Sequence, residues 1–142
     1  MSTLKVTNVK HETSGLNTLV FDNGGTSGGN GRVTTKGTIG EVSAISYAST
    51  ITLDFRTANN FSMTLTGNVT LANPSNISAG QSGVLFITQD SNGSRTAAFG
   101  SYWDFSDGTA PTLSTGANQV DVIAWIARTN TNIAAQFIGN FS

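Results

Sequence analysis

The chain contains no cysteine, which excludes a disulfide framework and thiolate chemistry alike. Charge is also scarce: Asp, Glu, Lys and Arg make up 11% of 142 residues and leave a net charge of −1. The seven basic residues, Lys5, Lys10, Arg32, Lys36, Arg56, Arg95 and Arg128, are scattered without a run, so no nucleic-acid footprint is present. The one histidine, His11, stands beside Glu12. A catalytic triad or a zinc site needs more partners than that, and His11 reads as an exposed loop residue. No apolar run approaches the roughly 18–20 residues of a membrane span. The opening Met1-Ser-Thr-Leu-Lys5 has no apolar stretch of the signal-peptide kind. These features predict a soluble protein made in the cytoplasm, with neither nucleic acid nor membrane as a partner.

What the chain does have is small and polar. Thr (21), Ser (16), Asn (14) and Gly (16) supply 67 of the 142 residues. Thr is stiff at χ1 and suits a pleated surface, Ser and Asn compete for nearby backbone groups, and Gly costs backbone entropy in a helix. Apolar residues are uneven, with 13 in residues 1–46 and 40 in residues 47–142. The expected organisation is an extended, Gly-rich N-terminal arm over 1–46 and a core-forming domain over 47–142.

Within the arm, Leu4, Val6 and Val9 are apolar points on a short alternating stretch, and Leu19 and Phe21 form a second cluster. Asn23 to Gly31 holds five glycines in nine residues, a linker composition. It is not a phosphate cradle, because the G-x-x-x-x-G-K-[ST] order is missing. The arm reads as an assembly element whose Leu4, Val6 and Val9 add a strand to a partner's open sheet edge, with Leu19 and Phe21 as a second anchor.

After Tyr47 strand patterns alternate with turn signals: strands are expected over 50–56, 61–65, 69–71, 83–89, 95–99, 119–129 and 133–138. Thr66-Gly-Asn68 reads as a tight turn, Asp90-Ser-Asn-Gly93 as another, and Thr129-Asn-Thr-Asn132 as a hairpin. In the longest segment Val120, Val122, Ala124 and Ile126 face one way, and Asp121, Ile123 and Trp125 the other. No window carries a helical period. The prediction is an all-β domain, a β-sandwich or jelly-roll-like fold.

Three chemical candidates remain. Asp104-Phe-Ser-Asp107-Gly108 offers two carboxylates, but a calcium loop supplies more oxygens and a bidentate glutamate. Asx-turn chemistry accounts for it, and no metal or other cofactor is expected. Tyr102, Trp103 and Phe105 cluster on a loop or short strand; core packing is their first reading, with a subunit interface or sugar stacking as alternatives. No paired carboxylates adjoin in sequence, so the chain is expected to be non-enzymatic.

The opening Met1-Ser-Thr-Leu-Lys-Val-Thr-Asn-Val9 resembles the start of small virion structural proteins of tailed bacteriophages, particularly marine ones. Leu65-Thr-Gly-Asn-Val-Thr-Leu71, Asn73-Pro74, Ala79-Gly-Gln-Ser-Gly83, Ile87-Thr-Gln-Asp90, Gly93-Ser-Arg95, Ala110-Pro-Thr-Leu-Ser114 and Val120-Asp-Val122 are similar to a β-domain of phage fibre and decoration-like proteins. The resemblance implies a non-enzymatic virion protein made in the host cytoplasm. Its first implied role is a capsid decoration (cement) protein, oligomeric on the particle, binding the major capsid protein and neighbouring copies of itself. The alternative is a short tail fibre or tail-accessory protein that binds tail proteins and a host-surface receptor or glycan.

Overall fold

A computed structural model describes residues 39–141. Leu4, Val6, Val9, Leu19, Phe21, His11 and the glycine cluster lie outside the described residues. Nine strands follow in order: β1 (Val42–Ile45), β2 (Thr50–Ile51), β3 (Asn60–Leu65), β4 (Val69–Leu71), β5 (Ser82–Gln89), β6 (Ala97–Phe99), β7 (Trp103–Phe105), β8 (Val120–Ala127) and β9 (Ile133–Phe141). The sole helical element among the described residues is a 3₁₀ turn at Ser106–Gly108. The all-β expectation therefore holds.

The strands form a six-stranded sheet, ordered β1-β3-β5-β8-β9-β7, and a three-stranded sheet, ordered β2-β4-β6. Odd and even strands alternate between the sheets, so the first six wind as a coil. β1, β3 and β5 run parallel in one sheet, and β2, β4 and β6 run parallel in the other. This is not the antiparallel Greek-key wiring of a jelly roll. The turns at Thr66-Gly-Asn68 and Asp90-Ser-Asn-Gly93 are corners between sheets rather than hairpins. A tight Gly-Asn turn reverses a chain in either setting, and local sequence does not say which strand comes next to it. Only β8 and β9 form the expected hairpin, antiparallel from Ala127↔Ile133. β4 stops at Leu71, just before Asn73-Pro74, as proline's missing donor requires.

The fold begins earlier than the expected boundary at Tyr47. β1 pairs in register with β3, from Val42↔Asn60 to Ile45↔Met63, and the compact unit spans Ile39–Ser142. An edge strand buries little, and β1 alternates exposed with half-buried positions. A criterion based on apolar content passes over such a strand.

Period-2 alternation builds the core between the sheets. Phe61, Met63 and Leu65 of β3, Leu85 and Ile87 of β5, and Ile123 and Trp125 of β8 point inward to meet Ile51, Val69 and Leu71. Each fully buried aliphatic side chain stabilises the fold by about 1.5–3 kcal/mol. Phe55, from the loop after β2, enters the core and stacks on Trp125 at 4.1 Å and on Phe61 at 5.9 Å. That loop lies hard against the sheet: a Cβ on Gly83 would stand 1.8 Å from the Asn59 carbonyl oxygen, so only glycine fits.

Side-chain amides and carboxylates clamp successive turns of the coil. The Asn68 carbonyl oxygen of the side chain accepts the Thr96 N–H at 3.0 Å, and that of Asn73 accepts the Tyr102 N–H at 2.9 Å. Buried Gln89 donates to the Arg95 carbonyl and accepts the Arg95 N–H, both at 2.9 Å. Asp121 is buried too. Its two oxygens accept the N–H groups of Ser114 at 2.8 Å and Asn140 at 3.0 Å, across a β-bulge between Val120 and Val122.

Candidate functional site

Strand direction decides which loops meet. β1, β3 and β5 run one way and β8 returns, so the segments before β3 and β5 share an end of the sandwich with the β8–β9 turn. Backbone hydrogen bonds tie these segments together. The Phe55 N–H donates to Ser75 (3.0 Å), Gly80 to Ala127 (2.8 Å), and Ile133 to Tyr102 (2.8 Å).

Two guanidinium groups stand out from this end. The Arg56 side chain is 77% exposed and lies 4.0 Å from Asp54; that of Arg128 is 66% exposed and 3.7 Å from Asp104. At those separations each arginine keeps most of its donors available to a ligand. The carboxylates are otherwise engaged. Asp54 accepts from the Asn76 amide at 2.8 Å and the Arg56 N–H at 3.0 Å. The Asn76 hydrogen bond first, and then the Arg56 N–H, hold its carboxyl below the usual range. Asp104 accepts from the Asn132 amide at 3.1 Å.

Beside Arg56 runs an open groove lined by Phe55, Arg56, Asn76, Ile77, Ser78 and Gln81; Arg128 is not among its lining residues. Gln81 is fixed there by donating to the Phe55 carbonyl at 2.5 Å and to Asn59 at 2.8 Å. The result is a surface of amides, hydroxyls and guanidinium groups on rigid corners. Such a surface recognises an oxygen-rich, hydroxylated or anionic ligand.

The aromatic cluster sits elsewhere in role. Trp103 is 6% exposed, donates its indole N–H to the Ala72 carbonyl at 3.3 Å, and meets Phe99 edge-on. Phe105 packs edge-on against Phe99 at 4.7 Å, and Tyr102 is half-buried against the same core. Core packing thus takes up the Trp103 ring, leaving only parts of Tyr102 and Phe105 at the surface. Asp104 and Asp107 do not converge with a third acidic or histidine ligand, and among the described residues no such group of three occurs.

Residues 33–131 match the family model described as "Putative phage tail fibre C-terminal domain". The chain belongs to this family. The match runs from before β1 through β8 and takes in the whole wound coil, including the end that carries Arg56, Asn76, Gln81 and Arg128. The tail-fibre-domain chain is a phage virion structural protein, as its resemblance implied. No curated protein and no solved structure matches it.

Sequence reasoning passed over Arg56, Asn76, Gln81, Arg128 and Asn132. They are far apart in the chain and share an end of the sandwich because β3 and β5 run parallel while β8 returns antiparallel to them. The available signal was that each one lies in, or next to, a turn cluster.

Proposed function

We propose that this domain is the receptor-holding part of a tail fibre or tail-accessory protein, acting by binding and not by catalysis. The family match over residues 33–131 carries the reading. It favours the tail over the capsid-cement role, because the family is one of fibre domains. The host-facing surface is the sandwich end that carries Arg56, Asn76, Gln81, Arg128 and Asn132, and its ligand is an oxygen-rich surface glycan. Rigidity supports the assignment: the groove's polar groups are fixed by hydrogen bonds before any ligand arrives, which lowers the ordering cost of binding.

Purified protein labelled with a fluorophore should bind cells of the phage's host, and surface polysaccharide extracted from them should compete. Arg56→Ala and Arg128→Ala should each weaken binding by roughly 10-fold, as expected for one charge-assisted hydrogen bond. Their melting temperatures should stay close to that of the parent chain. Binding to phage capsids with none to host cells would reverse the assignment in favour of cement.

A further inference from the structure

The groove beside Arg56 is unequal in donors and acceptors. Several of its acceptors are already taken. Asp54 Oδ1 accepts from the Asn76 amide at 2.8 Å and from the Arg56 N–H at 3.0 Å. The Phe55 carbonyl accepts from Gln81, whose own side-chain oxygen accepts the Ser78 N–H at 3.4 Å. Gln81 spends its amide protons on Phe55 and Asn59. The large open group is the Arg56 guanidinium, which only donates. Ser78 and Asn76 line the groove next to it, with a hydroxyl and an amide oxygen that suit a ligand hydroxyl.

Arg95 shows what a committed arginine looks like in this molecule. It donates to one Asp90 oxygen from Nη2 at 2.7 Å and from Nε at 3.1 Å, and its side chain is 27% exposed. Arg56 lies 4.0 Å from its carboxylate, beyond hydrogen-bonding distance. The Asn76 hydrogen bond is the main cause holding the Asp54 carboxyl below its usual range, and the Arg56 charge is the weakest, as a loose pair requires.

We infer that Arg56 takes an anionic group of the glycan, a sugar carboxylate or a phosphate, in its open donor fork. This rests on the receptor reading above and names the chemistry of its ligand. A neutral sugar hydroxyl brings a donor along with its acceptor, and a guanidinium has nothing to receive it. The oxygens of an anion only accept, and two of them match the planar fork. Asp54 is held two residues away by Asn76, so it orients the guanidinium without consuming it.

The test uses the full chain and host surface polysaccharide in three forms: native, carboxyl-reduced so that sugar acids become neutral hexoses, and phosphate-stripped with cold hydrogen fluoride. The parent chain should bind the native form and lose roughly 10-fold or more on one of the two treatments. Which treatment acts separates carboxylate from phosphate. Arg56→Gln should lose most of that difference between forms, whereas a merely structural role would weaken all forms in proportion and preserve it. Asp54→Asn removes the nearest negative charge but keeps an oxygen for Asn76, and should tighten binding of the native form by roughly 2- to 5-fold. Equal binding of all three forms by the parent chain overturns the inference and leaves the receptor reading standing. So does a treatment effect that persists in full in Arg56→Gln, or an Asp54→Asn chain that binds no tighter. Failure of the parent chain to bind the native form overturns the receptor reading, and this inference falls with it.

Discussion

The inward and outward faces of β8 differ in the opposite sense to their hydrophobicity. The inward face holds a carboxylate, Asp121, yet is closed to water; the outward face, with Val120, Val122, Ala124 and Ile126, is wholly apolar and remains half open. Burial inside a subunit is decided by which side the second sheet covers, and a polar group is admitted there when its hydrogen bonds are satisfied. Apolar content on the uncovered side stays partly open to water.

Neighbouring truncations measure the contrast most directly. Ile123→Ala removes a fully buried side chain between the sheets and should cost about 2–5 kcal/mol in urea unfolding. Val122→Ala, one residue away on the half-open outward face, should cost less than about 1 kcal/mol. Equal losses for the two would show that the outward face is already part of the subunit's own core.

Much of the first face was legible and little of the second. Alternation in 61–65 and 119–129 located β3 and β8, and Asn132 closed the hairpin into β9 as expected. Asp121 concealed which side of β8 faced in, since its partners are backbone N–H groups of Ser114 and Asn140 that no side-chain pattern announces. The strand expected over 50–56 shrank to Thr50–Ile51, because Leu53 and Phe55 reach the core from a loop. β1 escaped notice because its positions stay half open at the sheet edge. The polar end was illegible for a topological reason: Arg56 and Arg128 share an end only because β3 and β5 run parallel and β8 returns against them, and corner sequences do not encode that order.

Asp121 gives the next effect in size. Asp121→Asn keeps the shape but turns an NH₂ group toward one of two backbone N–H donors. One donor is then left without an acceptor in a buried site, at a cost of about 1–3 kcal/mol. Unfolding midpoints in urea should fall with an unchanged slope. A neutral result would mean that the bulge at Val120 relaxes and that the inward carboxylate is dispensable.

The smallest effect belongs to the corners, which lie on neither face. Asp90 accepts from Arg95 Nη2 at 2.7 Å and Nε at 3.1 Å, and from the N–H groups of Asn92 and Gly93. The Arg95 hydrogen bonds, ahead of the backbone ones, hold its carboxyl below the ordinary aspartate value of 3.8. A carboxylate with a depressed folded-state value binds its proton more readily when unfolded. Its contribution is therefore complete above about pH 4 and is lost as pH falls through the lower folded value. The parent chain's melting temperature should drop between about pH 4 and pH 2. In Asp90→Asn that drop should be shallower, with Asp54 still contributing to what remains. High salt should also flatten the part due to Asp90, since Arg95 is charged, more than the part due to Asp54, whose main partner is the neutral Asn76 amide. If Asp90→Asn melts with the parent's full pH dependence, the corner carboxylate is not coupled to folding and the acid sensitivity originates elsewhere.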